Sequence, residues 1–165
     1  MDLQRAKKLA EGLMDKHLSK GEHFWYFEFD NAVRRFGCCH YGGRKGYFIS
    51  LSRKLVAIND ESQVLDTILH EIAHAMDFED RGYSNHDAQW REVALSIGCN
   101  GERCYSSKDV EQPEMKYTTE CGNCGQTNGK MRKPRRSSTA CGKCCKKHNY
   151  GKYTDKYKLV YKQNY

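Results

Sequence analysis

The stretch DTILHEIAHAMDFED, residues 66–80, constrains this chain more than any other, because it carries H-E-x-x-H inside a helical hydrophobic pattern. At about 100° per residue, Val64, Leu65, Ile68, Leu69, Ile72 and Met76 gather on one face, and His70 and His74 lie about 160° from its centre. Asn59 and Asp60 are N-cap candidates with Glu61 in the first turn, so a helix is predicted to run to about Glu79. Such a helix has a core face and a histidine face, the latter shared with Asp66 and Asp77. Without a metal that second face is an ordinary polar surface. With one, two imidazoles a turn apart converge on the ion and Glu71 stands beside them to move protons. Chance expects roughly 0.02 such motifs in a chain of this composition, which favours the metal.

A catalytic zinc takes three protein ligands and keeps a fourth position for water, so the third ligand decides the question. Asp80 lies six residues after His74, the metzincin position, but that pattern needs a glycine where Asp77 stands. Glu92 lies 18 residues after His74, near the thermolysin-like spacing. On a second predicted helix, from about Asn85 to Ile97 and closed by Gly98, Glu92 points about 150° from the stripe of Trp90, Val93, Ala94 and Ile97. His86 lies about 30° from that stripe, one turn before Trp90. If the two helices pack side by side, His86 completes the site.

Ahead of these helices, Leu3, Ala6, Ala10, Leu13, Met14 and His17 predict an amphipathic helix over 3–18, ending near Gly21. FWYFEFD (Phe24 to Asp30), the stretch from Arg35 to Tyr41, and YFISLS (Tyr47 to Ser52) favour strands, with GGRKG as a turn before the last. A small sheet is expected.

The cysteines point to a second centre. Cys121/Cys124 in CGNCG and Cys141/Cys144 in CGKCC form two C-x-x-C pairs with sixteen residues between them. One pair is expected by chance at roughly 0.5 per chain of this kind, whereas two at this spacing match a four-cysteine zinc ribbon. Cys145 competes with Cys144 for the fourth place, and symmetry with Cys124 selects Cys144. Cys38, Cys39, Cys99 and Cys104 lack pair spacing and are expected to be small buried hydrophobes.

Charge divides the chain at the same place. Residues 1–112 hold 15 Lys/Arg against 18 Asp/Glu, and residues 113–165 hold 13 against 3. Lys130, Arg132, Lys133, Arg135 and Arg136 cluster between the knuckles, and Tyr150, Tyr153, Tyr157 and Tyr161 alternate with lysines after them. Phosphates and unpaired bases are the partners such a surface suits; a solvated face with tyrosines filling a small core is the plainer alternative. No apolar run approaches the roughly 18 residues of a membrane span, and the first residues lack a signal-peptide core, so an intracellular protein is expected.

The aromatic sheet, FISLSRKL, TILHEIAHAMD, the third histidine in NHDAQW and the terminal ribbon together resemble the SprT-like family of zinc metallopeptidases, over about residues 24–162. The resemblance implies an α+β architecture: a zincin-like metalloprotease core over 1–112, with a linker from about 100, and a basic zinc-ribbon β-module over 113–165. It implies His70, His74 and His86 as ligands of a catalytic zinc, Glu71 as acid/base, and Cys121, Cys124, Cys141 and Cys144 around a structural zinc. The implied function is cleavage of proteins bound or crosslinked to DNA; a monomer in the cytoplasm and on the nucleoid, or in a nucleus, is expected. The family usually has glycine where this chain has Asp87, an acidic neighbour expected to form a rim charge or to compete for the metal. Strand Tyr47 to Ser52 is the expected edge for an extended substrate, and Tyr83 the candidate oxyanion donor. The rival reading is a non-proteolytic zinc-ribbon protein that binds nucleic acid and has a structural or regulatory histidine site.

Overall fold

A computed structural model describes residues 1–18, 20–103, 110–133 and 139–165. The chain divides into two units, Met1–Pro113 and Glu114–Tyr165.

The first unit opens with α1 (Leu3–Leu18), whose Ala6, Ala10, Met14 and Leu18 are buried at helical spacing. Then come β1 (Trp25–Asp30), β2 (Gly37–His40) and β3 (Tyr47–Ser52). Their order in the sheet is β1-β3-β2, with β3 parallel to β1 and antiparallel to β2. The strand expected to accept a substrate is therefore central: β3 is paired on both sides, and the edge strands are β1 and β2. Strand order is a tertiary property, and nothing in the local pattern of YFISLS reveals it.

Ser52 ends β3 and caps a short helix, α2 (Arg53–Ile58), its side chain accepting from the Leu55 N–H at 3.2 Å. The sequence reading missed α2 because six residues show too little periodicity. Helix α3 (Glu61–Arg81) follows at once, its N-terminus capped by Asp60, which accepts from the N–H groups of Ser62 and Gln63. A cap of this kind is worth about 1 kcal/mol. At the far end Gly82 takes φ 74°, which suits glycine, and its N–H returns to the Phe78 carbonyl at 2.8 Å.

Helix α4 (Ala88–Ser96) begins later than predicted, because Asp87 is its N-cap and accepts from Trp90 N–H at 3.1 Å. His86 thus lies in the loop before α4 and not on its stripe. Asp87 also pairs with Arg81 at 2.8 Å, and Arg81 reaches Asp77 at 2.7 Å. Asp77 is fully buried and paired with Arg81, so the histidine face is not the water-facing surface of the metal-free reading at this position.

One core forms where α1, α2 and α3 cover the sheet, through Ile49, Leu51, Leu55, Val64, Ile68 and Ile72. A smaller one joins α3 to α4 through Leu69, Ala73, Trp90, Ala94 and Cys99. Val110 is buried in the first core, and Asn59 exchanges hydrogen bonds with the Glu111 backbone at 2.7 and 3.0 Å. No helix among the described residues is long and apolar enough to cross a membrane.

The second unit is a three-stranded antiparallel sheet, β5-β4-β6, built from β4 (Tyr117–Cys121), β5 (Thr127–Lys130) and β6 (Leu159–Gln163). A helix, α5 (Gly142–His148), follows Cys141 directly. Its core is Cys121, Cys141, Cys144, Cys145 and Tyr157. A centre made largely of cysteines is too small to fold such a unit by apolar burial alone.

Candidate active site

Helix α3 carries His70 and His74 one turn apart, and the loop between α3 and α4 brings His86 to them. His86 Nε2 lies 3.0 Å from His70 Nε2 and 3.1 Å from His74 Nε2. With zinc–nitrogen bonds of about 2.0–2.1 Å, two ligands on a tetrahedron stand about 3.3–3.4 Å apart, so the cluster is sized for zinc with little adjustment. All three rings surround Trp90, with centroids 4.7, 5.0 and 4.6 Å from the indole for His70, His74 and His86. Trp90 is 1% exposed and forms the floor on which the imidazoles rest. Burial lowers the pKa of His70 to about 4 and that of His74 to about 3, with the neighbouring imidazoles adding to the shift. Both rings are therefore neutral at pH 7, the state in which a ring nitrogen offers a lone pair.

Glu71 points from the same helix toward β2. Its carboxyl is buried, and burial raises its pKa to about 8, against the opposing pull of the Cys39 backbone N–H and the Arg35 charge. Gly37 makes this contact possible, since a Cβ there would lie 2.6 Å from Glu71 Oε1. A cleft of about 230 Å³ opens beside these groups, lined by Phe36, Gly37, Thr67, His70, Glu71 and Arg103 among others. A buried carboxyl whose pKa is raised by burial, on the helix that also carries two of the three imidazoles, can serve as an acid and a base.

The other candidates lie elsewhere. Asp80 is exposed and accepts from Gln89 at 2.9 Å, and Glu92 is exposed on α4. Tyr83 is 55% exposed and stacks on Arg81, with Cζ 4.5 Å from the ring centre. Asp87, held by Arg81 and by the α4 N-terminus, is neither a free rim charge nor in the histidine group. Sequence reasoning missed Trp90 as a platform, although H-x-x-x-W was in view, and missed Gly37, whose lone glycine in a strand-like run marks close approach.

In the second unit Cys121, Cys124, Cys141 and Cys144 form one group, their sulfurs within 4.8 Å of one another. Two separations are 3.8 Å, Cys121 to Cys144 and Cys124 to Cys141, matching the roughly 3.8 Å edge of a tetrahedron with zinc–sulfur bonds of about 2.3 Å. Backbone N–H groups of Cys124 and Asn123 lower the Cys121 thiol to about 7, favouring the thiolate that a metal needs. Cys145 is buried beside the group without belonging to it, and Cys99 is buried in the first unit. Cys38 and Cys39 are only half-buried on β2, and Cys104 lies outside the described residues.

Among the basic residues, Lys130 ends β5 and is half-buried, Arg132 and Lys133 are exposed, and Arg135 and Arg136 lie outside the described residues. Of the tyrosines, Tyr157 is core, whereas Tyr150 is 97% exposed and Tyr153 44%.

A mixed α/β protein with small sheets, a three-histidine group and a four-cysteine group near its C-terminus is a protein with two candidate metal sites, both consistent with zinc. The SprT-like family model matches residues 6–114, and the chain belongs to that family. It is 26% identical over 148 residues to a Bacillus velezensis protein described as "Protein SprT-like", covering 87% of this chain and 95% of the relative. A Staphylococcus carnosus protein of the same description is 25% identical over 146 residues, covering 87% and 93%. One from Lactococcus lactis is 32% identical over 107 residues, covering 62% and 68%.

Proposed function

We propose that this chain is a zinc-dependent endopeptidase with a zincin-like core, acting on proteins bound or crosslinked to DNA, and that its basic ribbon holds it on nucleic acid. The observation that carries the peptidase reading is the buried Glu71 carboxyl, packed against edge strand β2 and carried on the same helix as two of three converging imidazoles.

In this reading His70, His74 and His86 hold the catalytic zinc, and Cys121, Cys124, Cys141 and Cys144 hold a structural one. Bound zinc would supply Lewis acidity, polarising a peptide carbonyl and lowering the pKa of water toward about 7. Glu71 takes a proton from the attacking water and returns it to the leaving amine. An extended peptide lies along the β2 edge, pairing by strand addition with backbone groups other than the Cys39 N–H that Glu71 holds, and the cleft beside Gly37 and Glu71 accepts a flanking side chain. Trp90 keeps the imidazoles from rotating and excludes water from behind them.

The DNA half of the proposal rests on charge. Residues 113–165 carry 13 Lys/Arg against 3 Asp/Glu, with Arg132 and Lys133 exposed and Tyr150 projecting into solvent. Lysines and arginines neutralise phosphates, and an exposed tyrosine offers a face on which a base stacks.

The test is cleavage of a DNA-bound protein by wild type and Glu71→Gln, with and without DNA. Metal-dependent cleavage by wild type, lost in Glu71→Gln with both zinc ions retained, supports the proposal. Undiminished cleavage by a zinc-loaded Glu71→Gln protein refutes the mechanism. A wild type that binds DNA and zinc yet cleaves nothing favours the non-proteolytic reading.

A further inference from the structure

The loop between α3 and α4 delivers His86, and it also touches His74 from behind. Ser84 Oγ lies 2.8 Å from His74 Nδ1, while His74 Nε2 lies 3.1 Å from His86 Nε2. A neutral imidazole has one N–H and one lone pair, so which nitrogen holds the proton decides which one can bind a metal. For Nε2 to face the other imidazoles as a lone pair, the proton has to sit on Nδ1.

We infer that Ser84 is a positioning residue for His74: its Oγ accepts the Nδ1 proton, fixes that tautomer, and so turns the Nε2 lone pair toward His70 and His86. Ser84 also interacts with the Tyr41 hydroxyl, a second group toward which its own proton can turn while its oxygen accepts from His74. Tyr41 is itself held by stacking on Phe78, with centroids 4.5 Å apart. The loop has fixed ends, Gly82 in its left-handed turn and Asp87 as the α4 cap, with Arg81 bridging Asp77 and Asp87 across them. Six residues thus carry one ligand candidate and set the protonation pattern of another.

The inference rests on the metal reading of the histidine group, and its test separates the two. In metal-free, 15N-labelled full-length protein, long-range proton–nitrogen NMR reports which His74 nitrogen is protonated. Wild type is expected to show Nδ1–H alone, Ser84→Ala a mixture of tautomers, and Ser84→Thr the wild-type pattern. By chelator competition, Ser84→Ala should bind zinc at the histidine site about tenfold more weakly, the lower end of what loss of such a partner costs. The four-cysteine site should be unaffected, which controls for misfolding. Ser84→Ala protein that keeps Nδ1–H alone and wild-type zinc affinity overturns the inference, as does wild type protonated at Nε2. If the histidines bind no zinc while the tautomer still follows Ser84, the metal reading falls and the positioning role stands.

Discussion

One added methyl group, at Gly37, should disable the site without altering any metal-binding side chain. A Cβ there would lie 2.6 Å from Glu71 Oε1, 2.8 Å from Glu71 Cγ and 2.9 Å from Thr67 Cγ2. Relaxed carbon–oxygen contacts begin near about 3.3 Å, so the carboxylate has to retreat by roughly 0.7 Å or more. A shift approaching 1 Å in a reacting group costs on the order of 10²-fold in rate. Glu71 has little room to yield, since it is only 7% exposed and receives the Cys39 N–H. Overpacking of this kind costs about 1–3 kcal/mol, so Gly37→Ala should melt lower than wild type and still fold at 25 °C. The measurements are cleavage of a DNA-bound protein, zinc content by native mass spectrometry, and thermal melting. Cleavage about 100-fold down with both zinc ions retained is expected. Gly12→Ala is the matched control: its methyl meets nothing within 4 Å on the exposed face of α1, and it should stabilise by about 0.5–1 kcal/mol. Full activity in Gly37→Ala would refute the claim that the carboxyl packed against β2 is the working group.

Trp90→Ala should cost about 3–5 kcal/mol by chemical denaturation, since Trp90 is fully buried, and should weaken zinc at the histidine site through loss of its floor. Cys121→Ser should remove one zinc by mass spectrometry and unfold the second unit, leaving the first unit's melting transition in place. Removing residues 114–165 should lower DNA affinity and flatten its dependence on salt in a fluorescence-anisotropy titration. Glu79 accepts from Trp25 Nε1 at 2.7 Å and from the Glu22 N–H at 2.9 Å; burial opposes ionisation, but these bonds prevail and its pKa falls below 4.5. A lowered carboxyl contributes stability above its unfolded pKa and loses it as pH drops through the folded one. The stability gap between wild type and Glu79→Gln should therefore be full at pH 7 and shrink below about pH 4.5.

What the sequence revealed depended on how local each signal was. The α3 helix was legible because its stripe repeats over twenty-one residues and Asp60 caps it in place. His86 was legible as a candidate but was placed on the wrong element, because Asp87 captures the Trp90 N–H and starts α4 only after it. Asp77 shares the histidine face by angle, and its burial there is tolerated because Arg81 neutralises it one turn later. The centrality of β3, the contact of Gly37 with Glu71, and the approach of Ser84 to His74 join residues brought near only by folding. Of these, Gly37 alone carried a local sign.

The brevity of β2 has a further consequence. An exposed strand edge is a hazard in any protein, because the same backbone groups that welcome a peptide also welcome another copy of the chain. Here the edge is four residues long, and the Cys39 N–H is already taken by Glu71. Association through such an edge has too short a register to propagate into a stacked sheet, while a brief extended segment still finds room. The Glu71 carboxyl, by occupying that N–H, thus also discourages unwanted self-pairing.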